Sequence, residues 1–269
     1  MKTVFSVGLS FITVVAMPIV AQAQSPYELF IQGMAYYGAG NYAQAEVTLQ
    51  QALQADVNGH HTFAIYHSLA NALREQGRHE EADTAYQAAL KEGNNSDTRF
   101  YTDFGINLAA QQRYDEAEAA FRTALTLENP LTSGLGNPAL SEDGAYALAY
   151  LHLGTALYNQ GRYPEAELAY RDSIDRNSED VRPYIYLGSV LLHQDQAVDA
   201  QATLQRVQNM RPDDVRVHIV LGDIYQLHGY FEDAIAHYQQ ALSLAPQDPE
   251  AQAKLAEAES LRLQENGLE

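Results

Sequence analysis

The chain has 269 residues, no cysteine, 46% hydrophobic residues and a formal net charge of -19 at neutral pH. Without cysteine there is no disulfide framework, no thiol nucleophile and no lipid-modified cysteine. The acidic balance repels phosphate backbones and anionic membrane surfaces, which excludes nucleic acid as an expected partner and leaves basic protein segments or cations compatible.

Met1-Lys2 is a short positive start, Val4 to Val20 is almost wholly apolar, and Ala21-Gln22-Ala23 is a small-x-small cleavage site. This pattern predicts a secretory signal peptide over 1–23, cut before Gln24. The alternative is an uncleaved anchor, since the run nearly reaches bilayer length. No later segment approaches a membrane span. The expected location is therefore an exported compartment, first a bacterial periplasm, with the extracellular space or a thylakoid lumen as alternatives.

From Pro26 onward one pattern recurs in a 34-residue frame. Repeat 1, Pro26 to Gly59, has Leu29, Gly33, Tyr36, Gly40, Tyr42, Ala45, Leu49 and Ala52. Repeat 2, Phe63 to Ser96, has Tyr66, Leu69-Ala70, Leu73, Gly77, Ala82, Tyr86 and Ala89. Repeat 3, Thr98 to Leu131, has Tyr101, Phe104-Gly105, Leu108, Tyr114, Ala117, Phe121 and Ala124. Thr132 to Tyr146 is a glycine- and proline-containing insertion, expected as a surface loop or a flap over a binding face. Repeat 4, Ala147 to Asp180, has Tyr150, Leu153-Gly154, Leu157, Gly161, Tyr163, Ala166 and Tyr170. Repeat 5, Val181 to Asp214, has Tyr184, Leu187-Gly188, Leu191, Ala200, Leu204 and Pro212, with Asp195 and Ala197 where a turn glycine and an aromatic are expected. Repeat 6, Val215 to Asp248, has Leu221-Gly222, Tyr225, Gly229, Phe231, Ala234, Tyr238, Ala241 and Pro246. Pro249 to Gln264 carries a short apolar stripe and is expected as a C-terminal capping helix.

The spacings within each unit are helical, with large residues at places 4, 7, 11 and 24. Place 20 is alanine in all six, and place 8 is glycine in all but repeat 2. Small residues there let two helices approach closely.

This order of residues resembles the tetratricopeptide repeat, a helix–turn–helix unit. The resemblance implies an all-α solenoid of six helical pairs in a right-handed superhelix, with repeats 1–3 over 26–131, repeats 4–6 over 147–248 and the cap over 249–264. It further implies a concave groove lined by the first helix of each pair at places 2, 5, 9, 12 and 13. Carried onto this chain, those places offer Asn71 and Arg74, then Arg99 and Thr102. Repeat 4 adds Thr155, Tyr158 and Asn159; repeat 5 adds Arg182, Ser189 and His193; repeat 6 adds Arg216 and Asp223. Arginine at place 2 of three repeats suits a carboxylate on a partner. The family's carboxylate clamp also uses lysine at place 5, and no repeat has one there.

No hydrolase, zincin, phosphate-loop or dinucleotide motif is present, so no catalytic residue, cofactor or enzyme activity is expected. His60, His61 and His67, and separately Asp233 with His237, are the places where a metal ligand set would start, though neither has the spacing of a known site. The expected function is a non-catalytic protein-interaction scaffold or assembly factor that binds an extended or helical partner segment in the groove. The alternative is a metal-handling or delivery factor on the same array. Oligomeric state is not readable from the pattern. Replacing Ala166 with leucine is expected to overpack its unit and lower stability by about 1–3 kcal/mol. An unchanged melting temperature would contradict this packing.

Overall fold

A computed structural model describes residues 24–93, 97–127, 142–227 and 229–265. The proposed signal segment, 1–23, lies outside them, as does 132–141 of the expected insertion. Among the described residues there are thirteen helices and no strand. They are α1 (Pro26–Gly38), α2 (Tyr42–Ala55), α3 (Thr62–Glu75), α4 (His79–Lys91), α5 (Thr98–Ala110), α6 (Tyr114–Thr126), α7 (Glu142–Asn159), α8 (Tyr163–Arg176), α9 (Arg182–His193), α10 (Ala197–Met210), α11 (Val215–Leu227), α12 (Phe231–Leu244) and α13 (Pro249–Glu265). The first twelve form six antiparallel pairs and α13 packs on the last pair. Residues 142–146, read from sequence as the end of the insertion, are instead the first turn of α7.

Short polar caps start the first helix of most pairs. Ser25 and Glu28 form a reciprocal capping box on α1. Asp97 accepts from the backbone N–H of Arg99 and Phe100, Asp180 from Arg182, Asp214 from Arg216, and Asp248 from Ala251. Each leaves one fewer orphan donor at a helix start.

The turn inside each pair is the same six times. The backbone N–H at place 16 reaches the carbonyl at place 11 at 2.8–3.1 Å, from Asn41→Tyr36 to Tyr230→Tyr225. Place 15 lies in the left-handed region, the arrangement of a Schellman helix end. Gly40, Gly77, Gly161 and Gly229 have φ of 73–75°, while Gln112 and Asp195 adopt 60° and 59°. The turn of repeat 5, which lacks the expected glycine, therefore keeps its geometry and carries the strain in one residue.

The helices of a pair meet across small residues. Ala45, Ala82, Ala117, Ala166, Ala200 and Ala234 are all fully buried. A methyl group on Gly33, Gly105, Gly154, Gly188 or Gly222 would lie 2.4–2.9 Å from the large side chain at place 24 of the same repeat. Tyr86, Phe121, Tyr170 and Tyr238 fill the space that those small residues leave and are themselves buried. Successive first helices, α1, α3, α5, α7, α9, α11 and α13, touch their next neighbours in the row, whereas no second helix touches another second helix among the described residues. The row that packs more closely is the inner one, so the stack curves with its odd-numbered helices on the concave side.

Changing Gln112 to glycine is expected to stabilise the protein by about 0.5–1 kcal/mol. The left-handed penalty of about 1–2 kcal/mol is removed, and the looser unfolded chain gives part of it back. Asp195→Gly is expected to gain less, because aspartate tolerates this conformation better than glutamine. Chemical denaturation of the two variants beside the parent checks the order.

Candidate functional site: the concave face

The concave face falls into two chemically different halves. In the N-terminal half a half-buried polar knot lies between α3, α4 and α5. Asp103 accepts from His67 Nε2 at 2.8 Å, Asn71 Nδ2 at 3.1 Å and Arg74 Nη1 at 3.3 Å. Arg74 also donates to the Tyr86 hydroxyl and to Glu75. Burial pushes the Asp103 carboxyl up, yet the bond from His67 and the charges of His67 and Arg74 outweigh it and hold Asp103 below the usual carboxylate range. Phe63, Phe100 and Phe104 wall the knot, with Phe63 and Phe104 ring centroids 5.1 and 6.3 Å from Phe100. Its polar groups are spent on one another.

The C-terminal half is open. A cavity of about 640 Å³ lies between α7, α9, α11 and α13, lined by Tyr158, Ser189, Leu192, His193, Asp195, Asp223, Gln226, Leu227, Phe231, Lys254 and Leu261. The His193 ring stacks on Tyr163 at 4.6 Å, and its Nε2 lies 2.8 Å from the Tyr158 hydroxyl. Lys254 pairs with Asp223 at 3.0 Å, and the Tyr238 hydroxyl donates to the same carboxylate oxygen at 2.7 Å. Burial lowers the Lys254 pKa, but the bond to Asp223 more than offsets it and keeps the ammonium charged. Leu227 is 61% exposed at the rim.

A charge ladder runs along the other edge of the turns. Arg78 joins Glu81 of its own helix and Glu46 of the preceding repeat, both at 2.6 Å. Arg113 does the same with Glu116 and Asp83, and Arg162 with Glu165 and Glu118. At the junction of repeats 4 and 5 the ladder arginine is absent, and Gln194 reaches back to Glu167 at 2.9 Å beside the Tyr158–His193 bond. At the junction of repeats 5 and 6 Gln201 donates to the Tyr225 hydroxyl and Arg216 to the Tyr186 hydroxyl.

Models of the tetratricopeptide repeat match residues 29–91, 102–181, 151–215 and 215–248. The chain belongs to the tetratricopeptide-repeat family. PilW, described as a widely conserved type IV pilus biogenesis factor, superposes with a TM-score of 0.72 at 18% identity over 86% of this chain and 98% of that one. PilF of Pseudomonas aeruginosa gives 0.66 at 19% identity, over 86% and 97%. The APC/C hetero-tetramer Cut9-Hcn1 gives 0.68 at 16%, over 88% of this chain and 43% of that one. At these identities the likeness shows the fold. An uncharacterized Haemophilus influenzae protein is 28% identical over 96 residues, and the chain spans 51% of that relative.

Within this tetratricopeptide-repeat array the expected groove residues divide. Tyr158, Ser189, His193 and Asp223 converge on the cavity. Thr155 borders this region, donating to the Leu151 carbonyl and accepting from the Tyr170 hydroxyl, and Asn159 is exposed with its amide on the Thr155 carbonyl. Asn71 and Arg74 belong to the knot. Thr102 is 1% exposed and donates back to the Thr98 carbonyl, so it does not reach the groove. Place 5 turns into the core in repeats 3 to 6, as buried Leu151, Ile185 and Ile219 also show, whereas His67 at the same place of repeat 2 joins the knot. Arg182 is clamped by Asp180 at 2.6 Å, and Arg216 donates to the Tyr186 hydroxyl at 3.2 Å. Arg99 is exposed and makes no ion pair among the described residues.

Among the described residues no three His, Asp or Glu side chains are placed to hold a metal. His67 binds Asp103, and His237 meets His218, Nδ1 to Nδ1 at 3.3 Å, with the ring of Tyr225 stacked on it. The sequence reading missed Leu192, Gln226 and Leu227, although they occupy places 12 and 13. It also missed the ladder, although arginine at place 16 recurs in repeats 2, 3 and 4 with an acid three residues later and another five places beyond place 16 of the preceding repeat.

His152 on α7 stacks on Phe121 at 6.0 Å. Burial, reinforced by the charge of Arg182, lowers its pKa to about 4. A folded pKa below the unfolded value means that its contribution is present above the unfolded pKa and is lost as pH falls toward the folded one. Stability should therefore drop by about 1–2 kcal/mol between about pH 7 and about pH 5, a window above ordinary carboxylate titration. His152→Phe keeps the ring and should flatten that drop in a melting series; an unaltered pH profile would contradict this assignment.

Proposed function

We propose that this protein is a non-catalytic interaction scaffold or assembly factor of an exported compartment, the bacterial periplasm first, and that it holds a segment of a partner protein in the C-terminal half of its concave face. The observation that carries this reading is the open cavity beside the cap, with a leucine left exposed at its rim and a preset Tyr158–His193 pair at its side. Exposed aliphatic and aromatic groups in a concave site are what a binding surface needs, and a solenoid presents them without any moving part. The signal-like segment over 1–23 supports export, and no described helix is long and apolar enough to cross a membrane. The likeness in fold to PilW and PilF, over 86% of this chain and nearly all of theirs, supports the assembly-factor half of the reading. We place the working unit in two blocks of repeats, 26–131 and 147–248, with the insertion between them ending before the start of α7 at Glu142.

A photo-crosslinking amino acid placed at His193 and, separately, at Val198 on the outer helix α10 tests the face. Discrete adducts in the exported fraction are expected from His193 and not from Val198. Equal adducts from both, or none from His193, would overturn the concave-face reading.

A further inference from the structure

We propose that the segment bound in the C-terminal cavity presents a lysine or arginine beside an aliphatic or aromatic side chain, an inference that rests on the concave-face reading above. The apolar part of the site is Leu192, Leu227, Phe231 and Leu261, drawn from α9, α11, α12 and α13. Such a wall binds hydrocarbon but does not select charge. The charge preference comes from two independent features.

The first is the balance of side chains. Asp195 and Asp223 both line the cavity, and among the described residues Lys254 is the single lysine or arginine that does. Lys254 is already paired with Asp223 Oδ1, the oxygen that also takes the Tyr238 hydroxyl. Asp195 is exposed and has no ion pair among the described residues. One negative charge is left uncompensated.

The second is the backbone. Tyr158, His193 and Leu227 stand in the last turns of α7, α9 and α11. Three helix C-termini, carrying partial negative charge, therefore reach the cavity, against one N-terminus in its lining, that of α12 at Phe231, and the balance of these ends favours a cation. The arginines expected to seek a partner carboxylate are elsewhere. Arg182 is neutralised by Asp180, and Arg216 lies at the opposite end of α11, about 10 Å from the cavity residues by helical rise.

Fluorescein-labelled peptides of about twelve residues, with equal leucine content and lysine, serine or glutamate between, separate the terms in anisotropy titrations. The leucine–lysine peptide is expected to bind at least about tenfold tighter than the leucine–serine one, with the leucine–glutamate one weakest. Asp195→Asn with Asp223→Asn should cost the lysine peptide at least about fivefold, while Glu80→Gln with Asp115→Asn, which removes equal charge from the outer helices, should cost less than about twofold. Asparagine suits the left-handed turn at 195, so that single change keeps the fold in hand should Asp223→Asn disturb it.

Equal binding of the lysine and serine peptides, with both lost in Leu227→Glu, would overturn the cation preference and leave the concave-face reading standing. Equal losses from the inner and outer pairs would assign the binding to overall charge and overturn the site. No binding by any peptide would overturn both readings. Sedimentation showing self-association that Leu227→Glu abolishes would give the cavity to a second copy instead.

Discussion

The structure depends on one close approach, repeated six times: a glycine or alanine on the first helix of a pair against a large side chain on the second. In five repeats the large side chain occupies the place where a methyl group would stand. Dense interiors allow such an arrangement only where neighbouring positions are small and fixed, which explains the fully buried alanines at place 20. The same contact shapes the concave face. Pressed under the small residue, the tyrosines at place 24 extend their hydroxyls to place 9, where Tyr86 meets Asn71, Tyr170 meets Thr155 and Tyr238 meets Asp223. Packing inside each pair thereby sets the orientation of polar groups outside it.

Much of this was legible in the sequence because packing constraints recur at fixed intervals. Ala45 through Ala234, the glycines at place 8 and the turn glycines announce the fold without any contact being known. The turn of repeat 5 was harder, since Asp195 has no glycine's freedom; the neighbouring helices impose the left-handed conformation, and local preference yields. The start of α7 was missed for a related reason. Residues 142–146 follow a stretch rich in glycine and proline, and five residues carry too little periodicity to declare themselves a helical turn.

The groove was legible only as a set of places. A place number says which side of a helix a residue occupies, but not whether its charge has already been used. Arg74 and Arg182 are committed to acids of this same chain, and Thr102 is buried because place 5 faces inward in repeats 3 to 6. Of the three place-2 arginines that suggested a carboxylate-seeking groove, Arg182 is ion-paired within the chain and none lines the open cavity, whose unpaired charge among the described residues is that of Asp195. Most of the cavity's members come from places 9, 12 and 13 of repeats 5 and 6, from Asp195 at place 15 of repeat 5, and from the cap helix, which supplies Lys254 and Leu261. A helix expected only to cover an end also builds a wall.

The arginine ladder gives the array a gradient of charge pairing. Three junctions toward the N-terminus carry an arginine–carboxylate pair in addition to hydrocarbon contact, while the two beyond them are joined by hydrogen bonds, Gln194 to Glu167 and His193 with Tyr158, then Gln201 to Tyr225 and Arg216 to Tyr186, and by buried apolar surface. The fixed charges that cross a junction are therefore concentrated in the front half, and the end that carries the open cavity is held by neutral and singly charged contacts whose loss is felt only by its neighbours.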